Sequence, residues 1–163
     1  MTEIERLVAN AATYPDRYDA GRPARPRLGV AIVACMDARM ALFGMLGLGI
    51  GDAHVIRNAG GAVTADVLRS LVVSQRRLGT REVMLVHHAG CGMQTLDEDA
   101  FKAEIEADVG IRPDWALESF TDVEAHMRES IQRVRGCPFL PHRDDVRGFV
   151  FDVNTGRLEE VVG

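Results

Sequence analysis

The stretch Leu28-Gly29-Val30-Ala31-Ile32-Val33-Ala34-Cys35-Met36-Asp37-Ala38-Arg39 decides the fold. Leu28–Cys35 is nearly continuous in its apolar residues, the pattern of a strand covered on both faces of a parallel sheet. Polar chemistry begins where the run stops, with Cys35, Asp37 and Arg39. A second strand-like run, Glu82–His87, ends in the same way, in His88-Ala89-Gly90-Cys91. Two such strands bring a cysteine, a histidine and another cysteine to the carboxyl edge of one sheet, where open α/β folds bind ligands.

Outward from these strands the chain alternates. Thr2 and Glu5 form a capping-box pattern, and Ile4, Leu7, Val8, Ala11 and Ala12 share one helical stripe. Residues 13–27 carry Pro15, Pro23 and Pro26 and read as an extended connector. A short helix is expected over about 39–47, a strand over Ala53–Arg57, and a helix from Thr64 to Leu78 stopped by Gly79. Capping-box spacings at Thr95/Glu98 and Thr121/Glu124 predict two more helices, one ending near Gly110 and one running through Arg135. Val146–Val153 reads as a strand that Asn154-Thr155-Gly156 turns into a last one, Arg157–Val162. The alternation is an α/β pattern with a mainly parallel sheet. A chain of 163 residues with no repeat or low-complexity segment suits a single domain, 1–163.

Composition bounds the function classes. Hydrophobic residues make up 47% and charged residues 26%, as in a soluble globular protein. A net charge of −5 and a pI of about 5.5 argue against nucleic acid or an anionic membrane as the main partner. Arg22, Arg25 and Arg27 form a small basic cluster that reads as a solvated or interface feature. No apolar run reaches the length of a membrane span, and Met1-Thr2-Glu3-Ile4-Glu5 lacks a basic-then-apolar signal. Of three cysteines, only Cys137, a small packing residue, is left over if Cys35 and Cys91 are metal ligands. That leaves no intrachain disulfide and fits a reducing cytoplasm.

Cys35, His88 and Cys91 are a donor set that Zn²⁺ prefers, two thiolates and one imidazole. Three protein ligands leave a fourth position for water, as in catalytic zinc sites. Either motif alone is weak evidence, because cysteine and histidine often serve only packing. Together, each at a strand end, they point to one Zn²⁺ per chain. Zn²⁺ with two thiolates and neutral His88 has a net charge near zero. A three-histidine site keeps two positive charges and brings its bound water to a pKa of about 7. Bound water here is expected to be less acidic, so activity should rise into the alkaline range. Asp37, two residues after a ligand, has two roles open to it. As an acceptor it takes the hydrogen of hydroxide at the fourth position and orients the lone pair toward carbon, or it takes that position itself and closes the site. Arg39 is placed to hold Asp37 in a bidentate pair.

Cys35-Met36-Asp37-Ala38-Arg39, Gly51-Asp52-Ala53 through Gly60, His87 to Met93, and Phe151-Asp152-Val153-Asn154-Thr155-Gly156-Arg157-Leu158 together resemble a β-class carbonic anhydrase, in particular the short archaeal-type and actinobacterial-type branch. The resemblance covers nearly the whole chain. It implies a four-stranded parallel sheet flanked by helices, with a C-terminal antiparallel edge strand. It implies an Asp37–Arg39 dyad, and a homodimer or higher even oligomer whose amino-terminal helix and arm, 1–27, pack on a partner subunit. The implied reaction is reversible hydration of carbon dioxide to bicarbonate and a proton. Hydrolysis of carbonyl sulfide or carbon disulfide on the same scaffold is the alternative. A non-catalytic zinc-stabilised binding protein is a more distant one, since a structural site prefers four closed protein ligands. The chain departs from other branches at three positions. Pro26 stands where plant-type members carry a glutamine that contacts substrate. Ile32 stands where a tryptophan completes the regulatory bicarbonate pocket of some bacterial members. Gly90 stands where many relatives of this branch carry aspartate.

His54, on the second strand, is the candidate proton shuttle, because histidine titrates near neutrality. His87 is expected to point to the sheet face opposite His88 and to pack there. His126 falls off the apolar stripe of its helix and is expected in solvent. Arg57-Asn58-Ala59-Gly60-Gly61 leads into a helix but lacks the lysine and spacing of a P-loop. It reads as a structural turn lining the metal pocket.

Overall fold

Five strands, β1 (Val30–Cys35), β2 (Ala53–Asn58), β3 (Glu82–His88), β4 (Val146–Phe151) and β5 (Leu158–Val161), form one sheet in the order β2-β1-β3-β4-β5. The first four run parallel and β5 returns antiparallel along β4, as expected from the sequence. This computed structural model describes the backbone of residues 1–163 and every side chain but that of Arg17. β1 is an interior strand, paired on one side with the edge strand β2 and on the other with β3. Its side chains alternate between two cores, which explains why nearly every position is apolar. Ala31 and Val33 pack with Val67, Leu71, Met127 and Ile131 on one face. Ile32 and Ala34 pack with Met40, Leu42, Val86 and Met93 on the other.

Five helices accompany the sheet: α1 (Glu3–Ala12), α2 (Leu42–Leu46), α3 (Ala65–Leu78), α4 (Glu98–Val109) and α5 (Val123–Arg135). α3 begins at the Thr64 cap and ends on Gly79 in the left-handed conformation, as its sequence signals require. α5 lies close on β4 because Gly148 has no side chain there; a Cβ at that position would collide with Met127. The α1 capping box of Thr2 and Glu5 forms, yet no residue of α1 is buried.

Several boundaries differ from the sequence expectation. β1 starts at Val30 rather than Leu28, because Gly29 adopts φ 68° and its N–H closes a turn onto Pro26 O. α2 is shorter than 39–47, since Met40 N–H is already committed to a turn on Asp37 O. The capping boxes at Thr95 and Thr121 do not form. Asp97 caps α4 and Asp122 caps α5, each accepting backbone N–H groups in the first turn. An aspartate nearer the helix start offers a charged acceptor that outcompetes the upstream threonine. Thr95 instead donates its hydroxyl to Gly92 O. His126 is also not in solvent. It is only 7% exposed and stacks between Phe120 (centroids 4.3 Å apart) and His87 (4.8 Å).

Candidate metal centre

β1 and β3 are adjacent and parallel, in register through Ala34↔Val86, so their carboxyl ends lie side by side. Cys35 is the last residue of β1 and His88 the last of β3. Gly90, at φ 66°, turns the chain back so that Cys91 joins them. The ligand atoms of Cys35, His88 and Cys91 lie within 4.8 Å of one another, and all three residues are buried. The two sulfurs are 4.0 Å apart, and both cysteines are free thiols. Tetrahedral Zn–S bonds of about 2.3 Å would set two sulfurs about 3.8 Å apart.

Two further observations fit a cation. His88 Nδ1 lies 3.0 Å from Ala89 O, which fixes its proton on Nδ1 and leaves the Nε2 lone pair free. His88 Nε2 is buried and has no hydrogen-bond partner. Burial, reinforced by the neighbouring Cys35 and Asp37, pushes the Cys91 thiol up to about 11. Two buried sulfurs and a bare imidazole nitrogen are a costly arrangement for a chain alone. A soft divalent cation reverses that balance by holding the sulfurs as thiolates.

Asp37 stands at the mouth of this cluster. Its Oδ1 accepts from Arg39 Nε and from the Arg39 backbone N–H, each at 2.9 Å, and its Oδ2 accepts from Arg39 Nη2 at 2.7 Å. The Arg39 guanidinium, then the Arg39 backbone N–H, hold the Asp37 carboxyl well below the usual carboxylate range. Asp37 Oδ2 also lies 3.6 Å from His88 Nε2. The carboxylate therefore faces the same space as the free imidazole nitrogen while its other contacts bind it to Arg39. Arg39 Nη2 reaches Gly90 O at 3.4 Å, which ties the dyad to the loop carrying Cys91.

Residues 30–134 match the profile of the family described as carbonic anhydrase. The chain belongs to the β-carbonic anhydrase family. It is 49% identical over 161 residues to β-carbonic anhydrase 1 of Mycobacterium tuberculosis, covering 99% of each chain. It is 31% identical to a carbon disulfide hydrolase of Acidithiobacillus thiooxidans, over 87% of this chain and 80% of that one. Among solved structures, a carbonic anhydrase from Streptococcus mutans superposes with a TM-score of 0.92 at 40% identity, covering 99% of both chains.

Within this family member the structure brings together Cys35, Asp37, Arg39, His88 and Cys91, but not His54. His54 pairs in register with Ala31, four residues before Cys35 on β1, and so lies near the opposite end of the sheet. Its Nδ1 is 2.7 Å from Ser74 Oγ, which is 2.6 Å from Thr80 Oγ1. That chain fastens the edge strand to the end of α3, a structural use of the side chain. His87 points away from the metal cluster, as expected, with Nε2 3.3 Å from Gly61 O. Two residues of the turn expected to line the pocket act through contacts that the sequence reading did not specify. Gly61 lets its turn press on the backbone of β1: a Cβ there would lie 2.9 Å from Cys35 N. Arg57 donates to the carbonyls of Cys35 and Asp37. The available signal was their common place in Arg57-Asn58-Ala59-Gly60-Gly61, at the end of the strand paired with β1.

Proposed function

We propose that the chain is a zinc enzyme that hydrates carbon dioxide reversibly, CO₂ + H₂O ⇌ HCO₃⁻ + H⁺. The observation that carries this reading is the three-donor cluster of Cys35, His88 and Cys91 beside an arginine-clamped carboxylate. Cys35, His88 and Cys91 would hold one Zn²⁺. When bound, that ion supplies a Lewis acid with a fourth position for water. Asp37 accepts a hydrogen bond from the attacking water and aims its lone pair at the substrate carbon. Arg39 keeps both oxygens of Asp37 ionised and oriented, which is why a carboxylate rather than a carboxylic acid meets the water. Asp37 Oδ2 lies 3.6 Å from His88 Nε2, so displacement of the Arg39 fork would let this carboxylate close the site. The whole-chain likeness to a β-carbonic anhydrase at 49% identity supports carbon dioxide over the sulfur analogues.

Stopped-flow hydration kinetics on zinc-loaded and chelated protein, at neutral and alkaline pH, test the reading. Zinc-dependent turnover that rises with pH is expected. Negligible hydration of carbon dioxide together with rapid sulfide release from carbonyl sulfide or carbon disulfide would replace it with the hydrolase reading.

The same proposal extends to assembly and setting. We read residues 1–163 as one domain that works as a homodimer, or a higher even oligomer, with exchanged amino-terminal arms. Ile4, Leu7 and Val8 of α1 are 74%, 58% and 64% exposed, an apolar stripe with no cover in one chain. A groove of about 670 Å³ between α3 and residues 136–139 is lined by Leu68, Val72, Val73 and Phe139. A second copy offers each surface to the other, and the connector 13–27 could reach about 50 Å if extended. Deletion of 1–12 should lower the mass in solution; an unchanged, active oligomer would remove the exchange. Among the described residues no helix is long and apolar enough to cross a membrane. The free thiols of Cys35, Cys91 and Cys137 support a cytoplasmic setting.

A further inference from the structure

Main-chain groups of three consecutive residues, Cys35, Met36 and Asp37, are pinned from the neighbouring strand by two consecutive residues, Arg57 and Asn58. Arg57 Nε donates to Cys35 O at 2.9 Å, and Arg57 Nη2 donates to Asp37 O at 2.7 Å. Between them, Met36 N–H donates to Asn58 O at 2.8 Å. The β1–β2 pairing ends at Cys35↔Asn58, so these bonds carry the hold of β2 past the end of the strand onto Met36 and Asp37. No carboxylate pairs with Arg57 among the described residues, in contrast to Arg39. Its fork is committed to main-chain oxygens.

We infer that Arg57 is a positioning residue for the metal centre: it sets the direction in which Cys35 presents its sulfur and Asp37 presents its carboxylate. The inference rests on the zinc reading of the site. A planar guanidinium suits the task because two carbonyls two residues apart need two N–H groups at a fixed divergence. A lysine ammonium on its flexible stem is a single point and can hold only one of them well. The Asp37–Arg39 pair lies within the same loop, and its one reach outside it, Arg39 Nη2 to Gly90 O at 3.4 Å, holds the Arg39 side chain rather than the main chain of 35–37.

The test compares the wild-type chain with Arg57→Ala, Arg57→Lys and Arg147→Ala. The last removes an exposed arginine that pairs with Glu160 and lies over the Phe149 ring, and that touches none of the metal-site residues. Zinc affinity is measured by chelator competition, and hydrogen exchange is followed on peptides covering 36–41, β3 and α5. Partners that orient metal ligands typically contribute about 10–100-fold in affinity or activity. Arg57→Ala is therefore expected to weaken zinc about 10-fold or more and to speed exchange at 36–41 alone. Arg57→Lys should fall between it and the wild type, and Arg147→Ala should match the wild type.

Zinc affinity within twofold of wild type in Arg57→Ala overturns the inference. So does faster exchange spread equally over β3 and α5, which would mean general destabilisation. If the wild-type chain itself takes no zinc, the metal reading fails. The exchange arm then still decides whether Arg57 orders the loop: unchanged exchange at 36–41 in Arg57→Ala sinks that claim too.

Discussion

Gly61→Ala should damage both the fold and the metal centre, and its cost can be worked from the geometry. Gly61 adopts φ 68°, and a Cβ built on it would stand 2.9 Å from Cys35 N, 3.0 Å from the carbonyl carbon of Ala34 and 3.2 Å from His87 Cδ2. The first two are backbone atoms of β1, a strand locked between β2 and β3. They cannot swing aside as a flexible side chain would. Holding an alanine in left-handed backbone costs roughly 1–2 kcal/mol. Forcing extra volume into a packed interior costs a further 1–3 kcal/mol, roughly. The total is about 2–5 kcal/mol. For a chain of this size each kcal/mol lowers Tm by roughly 2–4 °C, so the expected drop is about 4–20 °C. Gly156→Ala is the control: Gly156 has φ 72° but nothing within 4 Å of a built Cβ, so only the conformational cost remains. Urea unfolding of both variants should show Gly61→Ala worse by about 1–3 kcal/mol. Zinc content should fall with it, because relief of the contact displaces the peptide that carries Cys35. Equal stabilities for the two variants, with full zinc in Gly61→Ala, would refute the close-approach argument.

Other expectations follow from the same geometry. Asp37→Asn should keep zinc but lose about 10²–10⁴-fold in kcat, the usual range for a group that handles a proton in the transition state; near-normal kcat at every pH would make the dyad structural. Cys35→Ser, His88→Ala and Cys91→Ser should each lose zinc on metal analysis, and full occupancy in any two of them would dissolve the proposed ligand set. Burial, with the neighbouring His126, lowers His87 to about 4, while an unfolded histidine titrates near 6.5. The unfolded chain therefore takes up the proton first. Stability from this group is complete above about pH 6.5, is lost as pH falls, and levels off below about 4, amounting to roughly 3 kcal/mol. Denaturant midpoints of chelated protein should fall across that window in the wild type and less steeply in His87→Gln, whose amide can still donate to Gly61 O. Parallel pH slopes would show that His87 is not the source.

The sequence by itself determined which atoms could do chemistry and at which edge of the sheet they would lie. Both motifs sit at the ends of strands whose hydrophobic pattern is local and whose direction is set by the helical crossovers between them. Parallel neighbours share one carboxyl edge, so Cys35, His88 and Cys91 had to be near one another once β1 and β3 were adjacent. The Asp37–Arg39 pair was legible for a similar reason: a separation of two residues leaves little for the fold to decide. What lay beyond a few residues was decided only by tertiary contact. His54 was placed on the correct strand, but its distance from the centre depends on register, which pairs it with Ala31 rather than with Cys35. His126 falls outside the helical stripe of its own element, yet Phe120 and His87 arrive from other segments to bury it. At Thr95/Asp97 and Thr121/Asp122 the capping-box spacing fits the threonine while the folded helix starts at the aspartate, so spacing alone did not choose the cap. Arg57 and Gly61 show the limit most directly. One acts through carbonyl oxygens and the other through the absence of a side chain, and neither main-chain acceptors nor empty space leave a pattern in the residue types themselves.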